Sequence, residues 1–136
     1  MTTDRETEIE PLGRLDVMAF DCPDAQALAG FYQRLLGGDI VEHEAGGWVE
    51  LHSPGGKLGF QCVDDHRRPT WPDGEVPQQA HVDIRVDDLD VAEAVAVERG
   101  AIKAETQPEP EAFRVFVDPA GHPFCLVLPW LPAGDS

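Results

Sequence analysis

Two short runs of the sequence gather groups capable of chemistry on one face of an extended chain. In His81-Val82-Asp83-Ile84-Arg85-Val86, apolar residues alternate with an imidazole, a carboxylate and a guanidinium. Side chains on a strand repeat every two residues, so His81, Asp83 and Arg85 share one face. Trp48-Val49-Glu50-Leu51-His52 does the same with an indole, a carboxylate and an imidazole. Sets of this kind orient a polar ligand. They can equally bind one another, Asp83 to Arg85 for example, and only stiffen a wall. Arg114 and Phe116 share a third face, and Gln61 and Trp71 complete the candidate ligand-binding residues. General acid–base catalysis without a metal needs a group that titrates near neutral pH. That leaves His81, the residue favoured for any catalysis, and His52, with Asp83 or Glu50 as partners. His43, His66 and His122 read as surface or turn residues.

Other chemistries lack their residues. No Gly-x-Ser-x-Gly run is present, and no cysteine has a recognisable activating partner. Gly46-Gly47 and Gly55-Gly56 read as turns, since neither joins a strand to a helix as a phosphate loop does. Nucleotide chemistry is therefore not expected.

Charge narrows the partners. The 136 residues carry 10 Lys and Arg against 26 Asp and Glu, a formal charge of −16. Nucleic acids and anionic membranes both require a basic surface. Such a field favours the approach of cations. Residues 1–11 are polar and acidic and do not read as a signal peptide. No apolar run approaches the ~20 residues of a membrane span. Cys22, Cys62 and Cys125 form no Cys-x-x-Cys pair, which suggests reduced thiols and a cytoplasmic setting.

The elements that must position these residues come as a repeat. Leu15–Asp21 reads as a strand, and Asp24–Gly37 as a helix with Leu28, Tyr32, Leu35 and Leu36 on one stripe. Pro23 suits its first turn, and Gly37-Gly38 its end. Strands are expected at 39–43, 48–52 and 58–63. The pattern then recurs: a strand at 81–86, Asp88 as N-cap, a helix to Arg99 stopped by Gly100, and strands at 101–103, 113–117 and 124–128. Each copy reads strand, helix, three strands. Setting Asp24 on Asp88 is an offset of 64 residues, which also sets Val17 on His81, Gln61 on Cys125 and Phe60 on Phe124. The expected organisation is a tail over 1–12, a first module over 13–64, a Pro-rich linker over 65–79, a second module over 80–130 and a tail over 131–136. Trp71 in that linker either caps a cavity or packs on an outer sheet.

A tandem repeat of this length resembles the vicinal oxygen chelate superfamily. That group includes glyoxalase I, extradiol dioxygenases, fosfomycin-inactivating enzymes and bleomycin-binding proteins. The resemblance rests on Asp24 followed by Phe31-Tyr32 and Leu35-Leu36-Gly37, on His81 to Asp88, and on Phe116-Val117-Asp118-Pro119-Ala120-Gly121-His122-Pro123. It spans about Leu15 to Pro129 and looks closest to an actinobacterial glyoxalase-like branch. It implies an α+β fold of two βαβββ modules, a cup of half-barrel mixed sheet with helices outside, often completed in a homodimer. It also implies metal ligands on the first and fourth strands of each module. Here those positions hold Val17, Gln61, His81 and Cys125. Val17 cannot ligate, so the set is degenerate, no cofactor is expected, and a divalent metal is the alternative. The favoured reading is a protein that sequesters a small aromatic or cationic molecule, such as an antibiotic. The alternative is a lyase, isomerase or dioxygenase acting through His81. A third reading is an interaction module whose cup is filled by side chains.

Overall fold

Each half of the chain folds as the repeat requires. The computed structural model describes residues 16–72, 74–77 and 81–129. The two expected tails lie outside the described residues. The first module runs β1 (Met18–Cys22), α1 (Ala25–Leu36), β2 (Asp39–His43), β3 (Trp48–Ser53) and β4 (Gly56–Cys62). The second runs β5 (Val82–Arg85), α2 (Leu89–Glu98), β6 (Ile102–Lys103), β7 (Phe113–Val117) and β8 (Pro123–Val127). The sheets have the orders β1-β4-β3-β2 and β5-β8-β7-β6. In each, the first strand pairs in parallel with the fourth, and the remaining pairs are antiparallel. These are α+β modules of mixed sheet, and among the described residues no barrel closes.

Capping sets the helix starts. The Asp24 carboxylate accepts from the Ala27 N–H at 3.0 Å, and Asp88 accepts from the Val91 N–H at 3.1 Å. Each satisfies a donor that the first helical turn leaves open. Pro23 therefore stands outside α1, ahead of its N-cap. Gly37 ends α1 at φ 75°, a conformation costly for any residue with a Cβ. Leu28, Phe31 and Tyr32 of α1 are buried. The Ala- and Val-rich α2 buries less, and its Val91 and Val97 stay exposed.

The helix-bearing faces of the two sheets meet in one core. Phe31 and Tyr32 of α1 lie 5.9 and 6.0 Å from Phe124 of the second sheet, while Tyr32 stacks on Phe20 and Phe60 of the first. Each fully buried phenyl ring contributes about 1.5–3 kcal/mol over its exposed state. Polar contacts then fix the seam. The Tyr32 hydroxyl donates to Asp118 Oδ2 at 2.6 Å, and both groups are buried. Asp118 Oδ1 accepts from the N–H groups of Ala120 and His122 at 2.9 Å each. His122 Nε2 donates to the Asp21 carbonyl at 2.7 Å, and Arg99 reaches the Arg34 carbonyl at 2.7 Å. His122 and His66 are thus half-buried seam residues and not free surface groups. His66 donates to the Ala120 carbonyl at 2.8 Å.

Strand pairing corrects the sequence overlay in one place. Phe20 pairs with Phe60 in the first sheet, and Ile84, its counterpart by the helix offset, pairs with Leu126. The fourth strands are therefore matched two residues further on than the helices. Gln61 corresponds to Val127, and Cys125 to Gly59. The slip keeps every face but changes which residues are equivalent.

Candidate functional site

The faces turned away from the shared core differ between modules. In the first, Trp48, Glu50 and His52 lie together on β3, as their alternation requires. Trp48 Nε1 donates to Glu50 Oε2 at 2.8 Å, and His52 Nε2 lies 2.8 Å from Glu50 Oε1. A carboxylate only accepts, so His52 holds its proton on Nε2 in that bond. The two donors, the indole first, hold the Glu50 carboxyl below its ordinary value. The six-membered ring of the indole sits over β4 at Gly59, where an added Cβ would collide with it. Only glycine leaves that space. Gln61 Nε2 donates to the Gly47 carbonyl at 3.1 Å. This face is tied up by its own side chains.

In the second module the corresponding face is hollow. Trp71, His81, Asp83, Pro108, Phe113 and Cys125, with Val115 and Val127, line an open cavity of about 300 Å³. Trp71 therefore lies over a cavity, the first of its two expected places. His81 stands just before β5, and its Nε2 is 3.1 Å from Asp83 Oδ1. Asp83 is the register partner of Cys125. Burial, and then the Asp83 carboxylate, push the Cys125 thiol up to about 11. It is a protonated thiol near neutral pH and no ready nucleophile. The chemistry on offer is a carboxylate and an imidazole at one end of an aromatic slot.

Three expected site residues fall elsewhere. Phe116 is fully buried and stacks on Phe124 at 5.7 Å. Arg114 lies on that same helix-bearing face, with its guanidinium 2.9 Å from both Asp90 and Glu93 of α2. Those carboxylates, Asp90 first, raise its already high pKa. Both residues follow from the β7 alternation, which turns Phe113 and Val115 to the hollow instead. Arg85 lines a different feature, a groove of about 570 Å³ between β1 and β5, with Met18, Leu58, Val82 and Ile84. Pro108 also lines the hollow, and no sequence signal marks it. Phe113 is one of the aromatics that favour a binding cup from sequence, and the alternation that excludes Arg114 turns it to the hollow.

The four family metal positions do not form a donor set. Val17 offers no side-chain donor atom, and Gln61, whose Nε2 donates to the Gly47 carbonyl, offers only its amide oxygen. The donors that do converge are His81, Asp83 and Cys125, whose ligand atoms lie within 4.8 Å of one another. Asp83 is not one of the implied positions, and Cys125 would first have to lose its proton. The residues present do not fit the implied metal.

The fold has many solved counterparts. A fosfomycin resistance protein, FosX, from Listeria monocytogenes aligns with a TM-score of 0.67 at 13% identity, over 89% of this chain and 97% of that one. A glyoxalase/bleomycin resistance protein/dioxygenase from Nocardioides aligns with a TM-score of 0.62 at 17% identity, over 96% and 91%. A lactoylglutathione lyase from Agrobacterium tumefaciens gives 0.60 at 18% identity, over 88% and 96%. At these identities the likeness concerns the fold alone. No curated protein matches the sequence. The model of the glyoxalase-like domain matches residues 17–127, nearly all of both modules. The chain therefore belongs to the glyoxalase-like domain family, within the vicinal oxygen chelate superfamily.

Proposed function

We propose that this protein binds a small aromatic or cationic molecule in the hollow of its second module and does so without a metal. The observation that carries the reading is the cavity itself. Trp71 and Phe113 supply flat apolar walls, and Asp83 with His81 supplies one polar end. A ring between those walls gains aromatic contact, and a cationic group gains the Asp83 carboxylate. The net charge of −16 favours the same class of ligand. Sequestration of a natural product or antibiotic is the concrete form of this activity. A second copy is the proposed partner: the first module's polar β3 face would close over the second module's hollow and complete a cup.

Quenching of tryptophan fluorescence by a panel of aromatic cations tests the reading. Saturable quenching in wild type, weakened about ten-fold or more in Trp71→Ala and in Asp83→Asn, is expected. Unchanged affinity in both variants would remove the hollow from the function.

The second reading is an enzyme of the same superfamily acting through His81. Its support is the His81–Asp83 pair at the cavity wall, where an imidazole oriented by a carboxylate can move a proton. Metal analysis of protein purified without chelators separates the two. About one metal per chain, lost in His81→Ala, favours the enzyme, and its absence together with quenching favours the binder.

A further inference from the structure

The C-terminal ends of β1 and β4 place two thiols side by side. Cys22 and Cys62 are register partners in the parallel ladder. Neighbouring strands lie about 4.8 Å apart, within the Cα separation of about 4.4–6.8 Å that a disulfide spans. The alternation that turns Phe20 and Phe60 toward the core turns Cys22 and Cys62 to that side as well. Their sulfurs reach across each other's backbone. Cys22 Sγ lies 3.6 Å from the Gln61 carbonyl, and Cys62 Sγ lies 3.2 Å from the Pro23 carbonyl. Cys62 is exposed and Cys22 is fully buried. One thiol can meet an oxidant and the other cannot leave its neighbour. Cys125 faces Asp83 in the other module and takes no part.

We propose that Cys22 and Cys62 form an oxidisable pair, closed to a disulfide by a peroxide. The Cys62 thiolate attacks one peroxide oxygen, and the O–O bond breaks. The departing hydroxide takes a proton and leaves as water, with Cys62 as the sulfenic acid. The Cys22 sulfur, giving up its proton, attacks the Cys62 sulfur. The S–O bond breaks and a second water leaves. Two thiols lose two electrons and two protons in all, and one hydrogen peroxide becomes two waters. Burial, and then Cys62, hold the Cys22 thiol up at about 11, so the closing step accelerates as pH rises toward that value.

The bond would tie the last residue of β4, three positions ahead of the linker, to the residue two before the α1 N-cap. The Val63 N–H already donates to the Cys22 carbonyl at 2.9 Å, so closure needs little movement of backbone there. That linker carries Trp71. Oxidation thus fixes the root of the segment that walls the hollow.

Intact mass and thiol alkylation after hydrogen peroxide treatment test this. The expected result is a loss of about 2 Da and the disappearance of two of the three free thiols. A dithiothreitol-reversible Cys22–Cys62 peptide should appear. Cys125→Ser should still close and Cys62→Ser should not. Cys22→Ser should stop at a Cys62 sulfenic acid that dimedone traps, and if that variant does not fold, the other two decide the matter. Three alkylatable thiols after treatment would overturn the proposal. So would a Cys62 sulfinic acid with Cys22 still alkylatable, or a Cys62-to-Cys62 link between chains.

Discussion

The two modules share one topology and solve opposite problems on their outward faces. Strand pairing makes Trp48, Glu50 and His52 of β3 the counterparts of Phe113, Val115 and Val117 of β7. It makes Val17, Ala19 and Asp21 the counterparts of His81, Asp83 and Arg85. The first module therefore carries its polar groups on the third strand, and the second on its first. Gly59 lets an indole sit over it and fill the first face. Cys125, at the equivalent place, stands beside Asp83 and leaves the second face open. The Gly59-to-Cys125 difference, together with the exchange of Trp48, Glu50 and His52 for Phe113, Val115 and Val117, separates a filled face from a cavity.

The seam gives the largest expected difference between the halves. Asp118 sits in the β7–β8 turn and binds Tyr32 of the other module, while Ser53, near the β3–β4 turn, only donates to the Gly56 carbonyl at 2.6 Å. Asp118→Ala strands a buried tyrosine hydroxyl and two N–H groups, and should cost about 3 kcal/mol. Ser53→Ala, at an exposed local bond, should cost about 0.5 kcal/mol. Urea unfolding of both variants checks this, and equal costs would mean the modules do not share the core described. The same bond has a pH signature. Burial, and then the Asp118 charge, raise the Tyr32 pKa well above its ordinary value. Its stabilisation is complete below the unfolded value of about 10 and is lost as pH rises beyond it. Tyr32→Phe should therefore flatten the alkaline limb of stability against pH.

The equivalent positions themselves come next. Gly59→Val must lift the Trp48 ring, an overpacking cost of about 2–3 kcal/mol. Cys125→Ala removes one sulfur beside an existing hollow and should cost about 1 kcal/mol. A thermal melt showing the two alike would break the comparison between a filled and an open face.

Much of this contrast is legible in the sequence. Period-two alternation separated Val82, Ile84 and Val86 from His81, Asp83 and Arg85, and that division holds because one side must meet the core. It placed Trp48, Glu50 and His52 together for the same reason. Asp24 and Asp88 marked the helices because an N-cap is a local device. What failed was non-local. Arg114 pairs with Asp90 and Glu93 through a strand-on-helix contact that no spacing on β7 encodes. The two-residue slip between β4 and β8 arises in turns of unequal length, so a single offset could not carry it. The Tyr32–Asp118 bond joins residues 86 positions apart, and nothing near either one announces the other.

Trp71 sharpens the comparison through function instead of stability. It comes from the linker and belongs to neither sheet, whereas Trp48 is part of β3 and bonded to Glu50. Trp71→Ala should cost less than about 1 kcal/mol of stability, because the ring is half-buried over an open cavity. It should cost a bound aromatic cation about 1–3 kcal/mol. Trp48→Ala should reverse that order, with more stability lost than affinity. Paired melting and quenching titrations would show it. If the two variants behave alike, the linker tryptophan is packing and not a wall.

The smallest effect is the most specific to the filled face. Glu50 is held ionised by Trp48 and His52, so its folded pKa lies below the unfolded value of about 4.3. A carboxyl lowered in this way contributes its stability above the unfolded value and loses it as pH falls through the folded one. Glu50→Gln keeps the shape but not the charge, and should cost about 0.5 kcal/mol near pH 7, where the partly exposed pair is screened. As pH falls through that lowered folded value the wild type also loses the charge, and the two stability curves should converge. A difference that stays constant from pH 7 to pH 3 would show that the glutamate acts through its shape alone. The first face would then be closed by packing of Trp48 on Gly59, with the charge cluster only decorating it.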